Sequence, residues 1–295
     1  MCYNPDMKKI FIAAVLIASF FAQAFCQDVA SADTADKADT EKKLFYLSPL
    51  RDSLLMGGGA ALAGTIFVLD NFVKINHDEF SGDLADKSSI PALDRLFMNK
   101  YSKGLDLTCD IMRTSILLAP VPLFLFTTSK SEWFTLAMMY GETLLWTWGT
   151  TDFIKNCVGR ARPYMYYDGA PEVDIKDGDW KKSFPSGHTS ITFASAAFTS
   201  FVFWQYYPES AWRWGVTGIS FGLAGTVAAL RMAGGCHFFT DVLTGALIGS
   251  AYGILIPWLH TRAPMARKTS GGKAEKLRGF EMDVAPGALV FTVRK

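Results

Sequence analysis

Residues 230–259 read LRMAGGCHFFTDVLTGALIGSAYGILIPWL. An apolar run from Phe239 to Leu259 follows directly on a polar turn that carries Arg231, His237 and Asp241. A membrane-spanning helix needs about 17–25 mostly apolar residues, and this run meets that length. Two upstream segments repeat the arrangement: Lys155–Pro163 (KNCVGRARP) and Phe184–Ser190 (FPSGHTS). All three border apolar stretches. Together they supply the cations Lys155, Arg162 and Arg231, the histidines His188 and His237, and the carboxylate Asp241. Such a cluster beside hydrophobic helices is costly unless something anionic visits it.

Outward from this segment, further apolar stretches cover about 107–127, 133–151, 190–207 and 215–233. The run at 54–70 (LLMGGGAALAGTIFVLD) is shorter and glycine-rich, and Gly57 to Gly59 argue against its crossing a membrane. The expected architecture is all-α: a multi-span transmembrane bundle of about five or six helices, with the polar loop 152–189 holding the first two motifs. Asp110, Arg113 and Glu142 interrupt the stretches and are expected to face the bundle interior and pair with other charges. Glu142 reads as a structural ion-pair partner, not a catalytic group.

Composition agrees with this class. Half the residues are hydrophobic, 19% are charged and the mean hydropathy is +0.17, whereas soluble chains average roughly 25% charged residues. The net charge of +1 gives no reason to expect nucleic acid. No Walker loop, dinucleotide fingerprint or zinc-type cysteine pairing occurs. Residues 1–26 read as a signal peptide or N-terminal anchor, with Lys8 and Lys9 before the apolar Ile10–Phe21 and small residues up to Cys26. Residues 27–53 form a polar lead, 54–106 a short apolar helix with a polar loop, 107–260 the core and 261–295 a basic tail. Of the three cysteines beyond the signal, Cys157 and Cys236 read as small buried hydrophobes in preference to a disulfide.

Loop charge orients the bundle. The tail from 260 has eight Lys or Arg against three acids, and the loop 71–106 has five bases against six acids. The basic excess places the tail in the cytoplasm. Trp204, Tyr206, Tyr207, Trp212, Trp214 and Trp258 should mark the interface on that side, and the motif loops then face the periplasm or exterior. An exported N-terminus followed by a full crossing at 54–70 would reverse this placement, so one of those two features must not act as written.

The motif residues are those that phosphoryl transfer needs. Fixed cations offset the charge on non-bridging phosphate oxygens. Arg162 and Arg231 offer planar forks and Lys155 a point charge. Ser186 and Gly187 precede an apolar helix whose first amides would face an anion. His237 and Asp241 stand four apart, so on a helix the carboxylate could hold one imidazole nitrogen and leave the other as nucleophile. His188 could protonate the leaving oxygen and then activate water. The scheme calls for no metal and no cofactor.

These motifs resemble those of the type 2 phosphatidic acid phosphatase superfamily: Lys155 with Arg162-Pro163, then Pro185-Ser186-Gly187-His188, then Arg231, His237 and Asp241. Leu230 stands where the family usually has serine, which removes one hydroxyl contact to phosphate. The resemblance covers about 100–260. It implies a helical core with the site at one membrane face. It also implies a phosphohistidine on His237 oriented by Asp241, His188 as acid then base, and phosphate held by Lys155, Arg162, Ser186, Gly187 and Arg231. The substrate would be a phosphorylated lipid of the envelope, in a bacterial-type inner membrane. A secreted soluble acid phosphatase, a vanadate-dependent haloperoxidase and a non-catalytic lipid-phosphate binding or transport protein are the competing readings. The sequence does not fix the oligomeric state.

Overall fold

The structure is a computed structural model that describes residues 43–68, 86–176, 178–261, 280–285 and 288–293. The expected signal or anchor, most of the polar lead, His77 and residues 262–279 lie outside the described residues. Helices are α1 (Pro49–Val68), α2 (Ala92–Leu96), α3 (Lys103–Leu118), α4 (Pro120–Thr127), α5 (Trp133–Val158), α6 (Glu172–Lys176), α7 (Gly187–Tyr206), α8 (Trp212–Ala233) and α9 (Phe239–His260). Pro120 occupies the first position of α4, where it breaks the line of α3 without costing an intrahelical hydrogen bond.

The core is a helix bundle in which α9 lies along α7. Gly245, Gly249 and Gly253 recur every four residues and so share one face of α9. A Cβ on these positions would come within 2.6 Å of Ser186 O, 2.0 Å of Ser190 O and 2.6 Å of Ala194 O, respectively. Only glycine permits that approach of helix to backbone, the packing mode of small-residue stripes between membrane helices. The contact order is parallel, so the N-termini of α7 and α9 meet at one end. Helix α8 packs mainly on α7 and returns the chain, so that its C-terminus reaches the same end.

Polar cross-helix bonds fix the register. Thr151 Oγ1 on α5 donates to Ser190 Oγ (3.0 Å). Tyr140 OH on α5 reaches Ser195 Oγ (2.9 Å), whose own hydroxyl donates to Ile116 O on α3 (2.9 Å). Helix α1 packs on α5, where Trp146 Nε1–H donates to Leu55 O (2.8 Å). A Cβ on Gly58 would meet Trp146 at 2.9 Å and one on Gly59 would meet Leu145 at 2.8 Å. Gly58 and Gly59, two of the three glycines that argued against a crossing at 54–70, therefore serve close helix packing.

Among the described residues, three helical segments are long and apolar enough to cross a membrane: Lys103–Leu125, Trp212–Ala233 and Phe239–His260. This is fewer than the five or six expected. Helices α5 and α7 have the length, but Thr143, Thr147, Thr151, Thr192, Ser195, Thr199 and Ser200 turn inward and lower their hydropathy. Leu107, Leu118, Val121, Leu125, Ile219, Leu223, Leu243, Leu247, Ile254 and Leu255 stay exposed along the three qualifying segments. Apolar exposure on this scale on neighbouring helices marks a lipid-facing surface. Trp204, Trp212, Trp214 and Trp258 all sit at the helix ends opposite the motif loops.

The chain divides into two units after Arg262. The second contains an antiparallel hairpin, β1 (Phe280–Ala285) and β2 (Ala288–Val293), with Phe280 opposite Val293 and Ala285 opposite Ala288. The all-α expectation holds for the first unit, and the second unit adds this hairpin. The apolar, β-branched run 288–293 and the Pro286-Gly287 pair between the strands are the local signals for it. The expected pairing of interrupting charges is present: Arg113 NH2 lies 3.6 Å from Asp110 Oδ1. Asp110 is nevertheless nearly half exposed and does not turn fully inward.

Gly249→Ala is expected to destabilise the bundle by about 1–3 kcal/mol or more, because the new methyl meets backbone. Gly222→Ala on α8, where a Cβ has nothing within 4 Å, is expected to be neutral or stabilising. Thermal unfolding of both variants in detergent checks the pair.

Candidate active site

The three motifs converge at the end where α5 and α8 finish and α7 and α9 begin. Gly159, in the left-handed conformation at φ 60°, ends α5 and turns the chain so that Arg160 and Arg162 follow Lys155 into the site. Arg162 N–H donates to Trp180 O (2.8 Å) and Ser183 N–H to Arg160 O (3.0 Å), which stitch the two polar segments together. Gly235, at φ 73°, makes the turn between α8 and α9; a Cβ there would stand 2.5 Å from Asn99 O and from Lys100 O. Cys236 and His237 N–H both donate to Arg231 O in this turn.

His237 is fully buried. Its Nδ1 is 2.7 Å from the carbonyl of Ser183. A carbonyl only accepts, so Nδ1 carries the hydrogen and Nε2 of the neutral ring keeps its lone pair. Burial, reinforced by the charges of Arg231, Arg162 and Lys155, pushes the imidazole well below its ordinary 6.5. The hydrogen bond to Ser183 opposes this shift but does not overcome it.

Asp241 does not take the histidine hydrogen. Its Oδ2 lies 3.7 Å from His237 Nδ1, beyond hydrogen-bond length. It accepts instead from Ser183 Oγ (2.6 Å) and from Phe238 N–H (2.8 Å). It therefore fixes the two backbone segments that flank the ring, including the one whose carbonyl holds Nδ1. The direct contact inferred from the four-residue spacing becomes an indirect one.

Behind Asp241 lies a buried charge chain that sequence reading left without a role. Arg160 NH1 donates to Asp241 Oδ1 (2.5 Å) and Thr240 Oγ1 (2.8 Å), and its NH2 donates to Asp94 Oδ2 (2.7 Å). Asp94, on α2 and buried, also accepts from Thr240 N–H (2.9 Å) and Thr240 Oγ1 (2.7 Å). The Arg160 guanidinium stacks on Phe238 at 4.1 Å. Arg160 sits in the first motif and Ser183 just before the second, so proximity was a signal. Asp94 lies far upstream with nothing local to mark it.

Each expected phosphate-binding cation faces a carboxylate. Arg231, buried, pairs with Asp106 on α3, and its Nε has no hydrogen-bond partner. Arg162, buried, pairs with Asp179. Burial favours the neutral Asp179 carboxyl, but Arg162 and Lys155 outweigh it and hold the group down at about 2. Lys155 Nζ lies 3.4 Å from Asp152 and would be 3.0 Å from a Cβ on Gly187, so the glycine admits the ammonium to the helix start. His188 Nε2 is 2.8 Å from Asp110 Oδ1. The charges that reach His188 include Arg231, His237 and Lys155.

Ser186 caps α7. Its N–H donates to Asp241 O (3.0 Å), and its Oγ accepts from Thr189 N–H and Thr189 Oγ1. Two acceptances use both hydroxyl lone pairs and leave the Ser186 O–H as a donor. Cys109, Cys157 and Cys236 are all free thiols. No Cys157–Cys236 disulfide forms, and Cys157 is exposed, not buried. His260 lies outside the motifs, where an apolar run gives way to a polar tail, and so reads in the sequence as solvated; it is fully buried.

Histidines, fixed cations and a helix N-terminus therefore meet at one end of a helix bundle that has three segments of membrane-spanning length among the described residues. Residues 135–264 match the family model of the PAP2 superfamily. Among curated proteins the chain is similar to a PA-phosphatase related-family protein of Dictyostelium discoideum, at 27% identity over 41% of this chain and 46% of the relative. It is also similar to probable lipid phosphate phosphatase 4 of Arabidopsis thaliana, at 32% identity over 37% of this chain and 42% of the relative. The chain thus spans less than half the length of these curated relatives. Among solved structures, Aquifex aeolicus LpxE aligns at TM-score 0.39 and 22% identity, covering 58% of this chain and 98% of that one. The transmembrane PAP2-type phosphatidylglycerolphosphate phosphatase of Bacillus subtilis aligns at TM-score 0.43 and 19% identity, covering 73% and 98%.

Arg160→Ala would leave Asp94 and Asp241 buried without their cation. Breaking a buried pair from one side costs about 3–5 kcal/mol, so a large loss of stability is expected. Denaturant unfolding of Arg160→Ala beside Lys130→Ala, at an exposed position, measures it; equal stability of the two would mean the charge chain carries no structural load.

Proposed function

We propose that this protein is a membrane-bound, metal-independent phosphatase of lipid phosphates that works through a phosphohistidine on His237. The observation that carries this reading is the state of that ring: buried and neutral, with Nδ1–H held by a carbonyl and the charges of Arg231, Arg162 and Lys155 acting on it.

In the proposed reaction, His237 Nε2 attacks phosphorus and the bond from phosphorus to the lipid oxygen breaks. His188 gives that oxygen a proton. His188 then takes a proton from water as the water attacks the phosphohistidine, the P–N bond breaks and phosphate leaves. Lys155, Arg162 and Arg231 neutralise charge on the non-bridging oxygens through the transition state. Arg231 Nε, the Ser186 O–H and the amide of Gly187 at the start of α7 are donors suited to the same oxygens. Asp241 acts as a positioning residue through Ser183 and Phe238. Three fixed cations supply the charge that a metal would otherwise bring.

The three membrane-length helical segments and their exposed leucines favour a lipid over a soluble ester. So does the likeness to a relative named as a probable lipid phosphate phosphatase. Phosphatidate, phosphatidylglycerol phosphate, undecaprenyl diphosphate and a lipid A phosphate all present the required group. The charge asymmetry of the loops and the separation of the tryptophans from the motif loops support a site facing the periplasm or exterior. A secreted soluble acid phosphatase fits the same catalytic groups but not the exposed apolar surface; carbonate extraction would release it and would leave a spanning protein behind.

Detergent-purified protein is expected to release phosphate from at least one of these lipids in the presence of EDTA, and His237→Ala to lose release by a factor of about 10³ or more, as removal of a nucleophile does. Wild-type protein that retains labelled lipid phosphates but releases nothing would favour a binding protein instead. His237 must be neutral to attack, and its titration is displaced downward, so the neutral form persists on the acid side of 6.5. The acid limb of kcat/KM is therefore expected below pH 6.5. An acid limb at or above that value would contradict the buried, cation-ringed imidazole.

A further inference from the structure

A second cluster of ionisable groups lies at the other end of α9. His260 closes that helix nineteen residues after Asp241, about 28 Å along the axis at 1.5 Å per residue. Asp52 in the first turn of α1 and Glu142 in the middle of α5 meet it there. All three are buried, and their ligand atoms lie within 4.8 Å of one another. We propose that Asp52, Glu142 and His260 bind a divalent transition-metal ion of the zinc class, which staples α1, α5 and α9 together at the end remote from the phosphate site.

The hydrogen bonding around the cluster argues for a cation. His260 Nδ1 donates to Ile256 O (2.8 Å), so in the neutral ring Nε2 presents a lone pair. That atom is 3.4 Å from Asp52 Oδ1 and 3.4 Å from Glu142 Oε2. A single N–H proton would settle on one oxygen at about 2.9 Å. Two equal longer separations are what a tetrahedral ion held at about 2.0–2.1 Å imposes between its ligands, an edge of about 3.3–3.4 Å. Both oxygens of Glu142 and Nε2 of His260 have no hydrogen-bond partner, although both residues are fully buried. Unpaired polar atoms in a packed interior are costly unless a ligand satisfies them.

The outer contacts have the form that metal ligands take. The second imidazole nitrogen is anchored on a backbone carbonyl, which fixes the tautomer and aims Nε2 at the centre. Asp52 is held in turn by Ser48 N–H on Oδ2 (2.7 Å) and Arg51 Nε–H on Oδ1 (2.7 Å). Arg51 also donates to Leu259 O (2.9 Å), and Tyr46 N–H donates to His260 O (2.9 Å). One imidazole and two carboxylates form a nitrogen–oxygen donor set suited to zinc and its first-row neighbours in preference to calcium or magnesium. The absence of a metal from the phosphohistidine scheme concerns the other end of the bundle, so the two proposals stand or fall separately.

The test is metal analysis of the full chain, purified in detergent without chelator and then incubated with Zn²⁺ or Co²⁺ and desalted. Wild type and His237→Ala are each expected to retain about one ion per chain, with Co²⁺ giving the visible absorption of a tetrahedral site. Glu142→Gln, nearly isosteric and so able to fold, is expected to bind at least about tenfold more weakly, and His260→Ala more weakly still. EDTA should lower the wild-type melting temperature and leave that of Glu142→Gln unchanged. Wild type that retains no ion after Zn²⁺ incubation and melts alike with and without EDTA overturns the proposal. Equal retention by wild type and Glu142→Gln overturns it as well.

Discussion

The approach of α9 to α7 through Gly245, Gly249 and Gly253 is the constraint on which the rest depends. A side chain at any of these positions would meet α7 backbone at 2.6 Å or less. The close parallel contact forces the first turns of the two helices to the same level. There Ser186 N–H donates to Asp241 O, and the second and third motifs become one site. In hydrocarbon, apolar burial gives helices little preference for each other, so tight van der Waals packing and a few polar bonds must set the geometry. The bonds among Thr151, Ser190, Tyr140 and Ser195 perform that task for α5 and α3 against α7. They bring Lys155 and Asp110 to the same end.

The site itself is organised from its floor. Asp94, Arg160 and Asp241 alternate in charge, and each makes several hydrogen bonds, which makes burial of the two carboxylates tolerable. Their effect on the chemistry is positional: Asp241 secures Ser183 and Phe238, and Ser183 secures the imidazole. A histidine held in this way by a backbone carbonyl does not depend on a neighbouring carboxylate to choose its tautomer.

Much of this was legible in the chain. Motif spacing located Lys155, Arg162, Ser186, Gly187, His188, Arg231, His237 and Asp241, and the structure gathers them at one end of the bundle. Apolar runs located the long helices to within a few residues, except that α5 runs on to Val158 and carries Lys155, where a polar loop was expected from 152. What was not legible depends on tertiary neighbours. Asp94 and Arg160 carry no periodic or motif signal that separates them from surface charges, and only the fold brings them together. His260 stands where an apolar run gives way to a basic tail and looked solvated, because nothing nearby in sequence reveals that α1 covers it. Glu142 was read as a structural partner, and its neighbours Asp52 and His260 are ninety and more than a hundred residues away. The span count fell short because Ser and Thr inside α5 and α7 satisfy one another and the backbone, which hydropathy counts as polarity.

The charge pattern around the proposed nucleophile also bears on how a substrate would enter. Arg231, Arg162, Lys155 and His188 are matched with Asp106, Asp179, Asp152 and Asp110. A phosphate arriving here would not meet a bare cluster of cations. It would exchange with carboxylates that already face them, and the net gain would be the difference between two anions. The difference favours phosphate where it accepts several donors at once, as the Arg231 Nε, Ser186 O–H and α7 amides would allow. Such compensation lets the cations persist at the edge of apolar helices before substrate binds. Asp106 and Asp110 both belong to α3, so the helix that balances the cations is also one that borders the exposed apolar surface. A lipid approaching along that surface would bring its phosphate to the residues that must change partners.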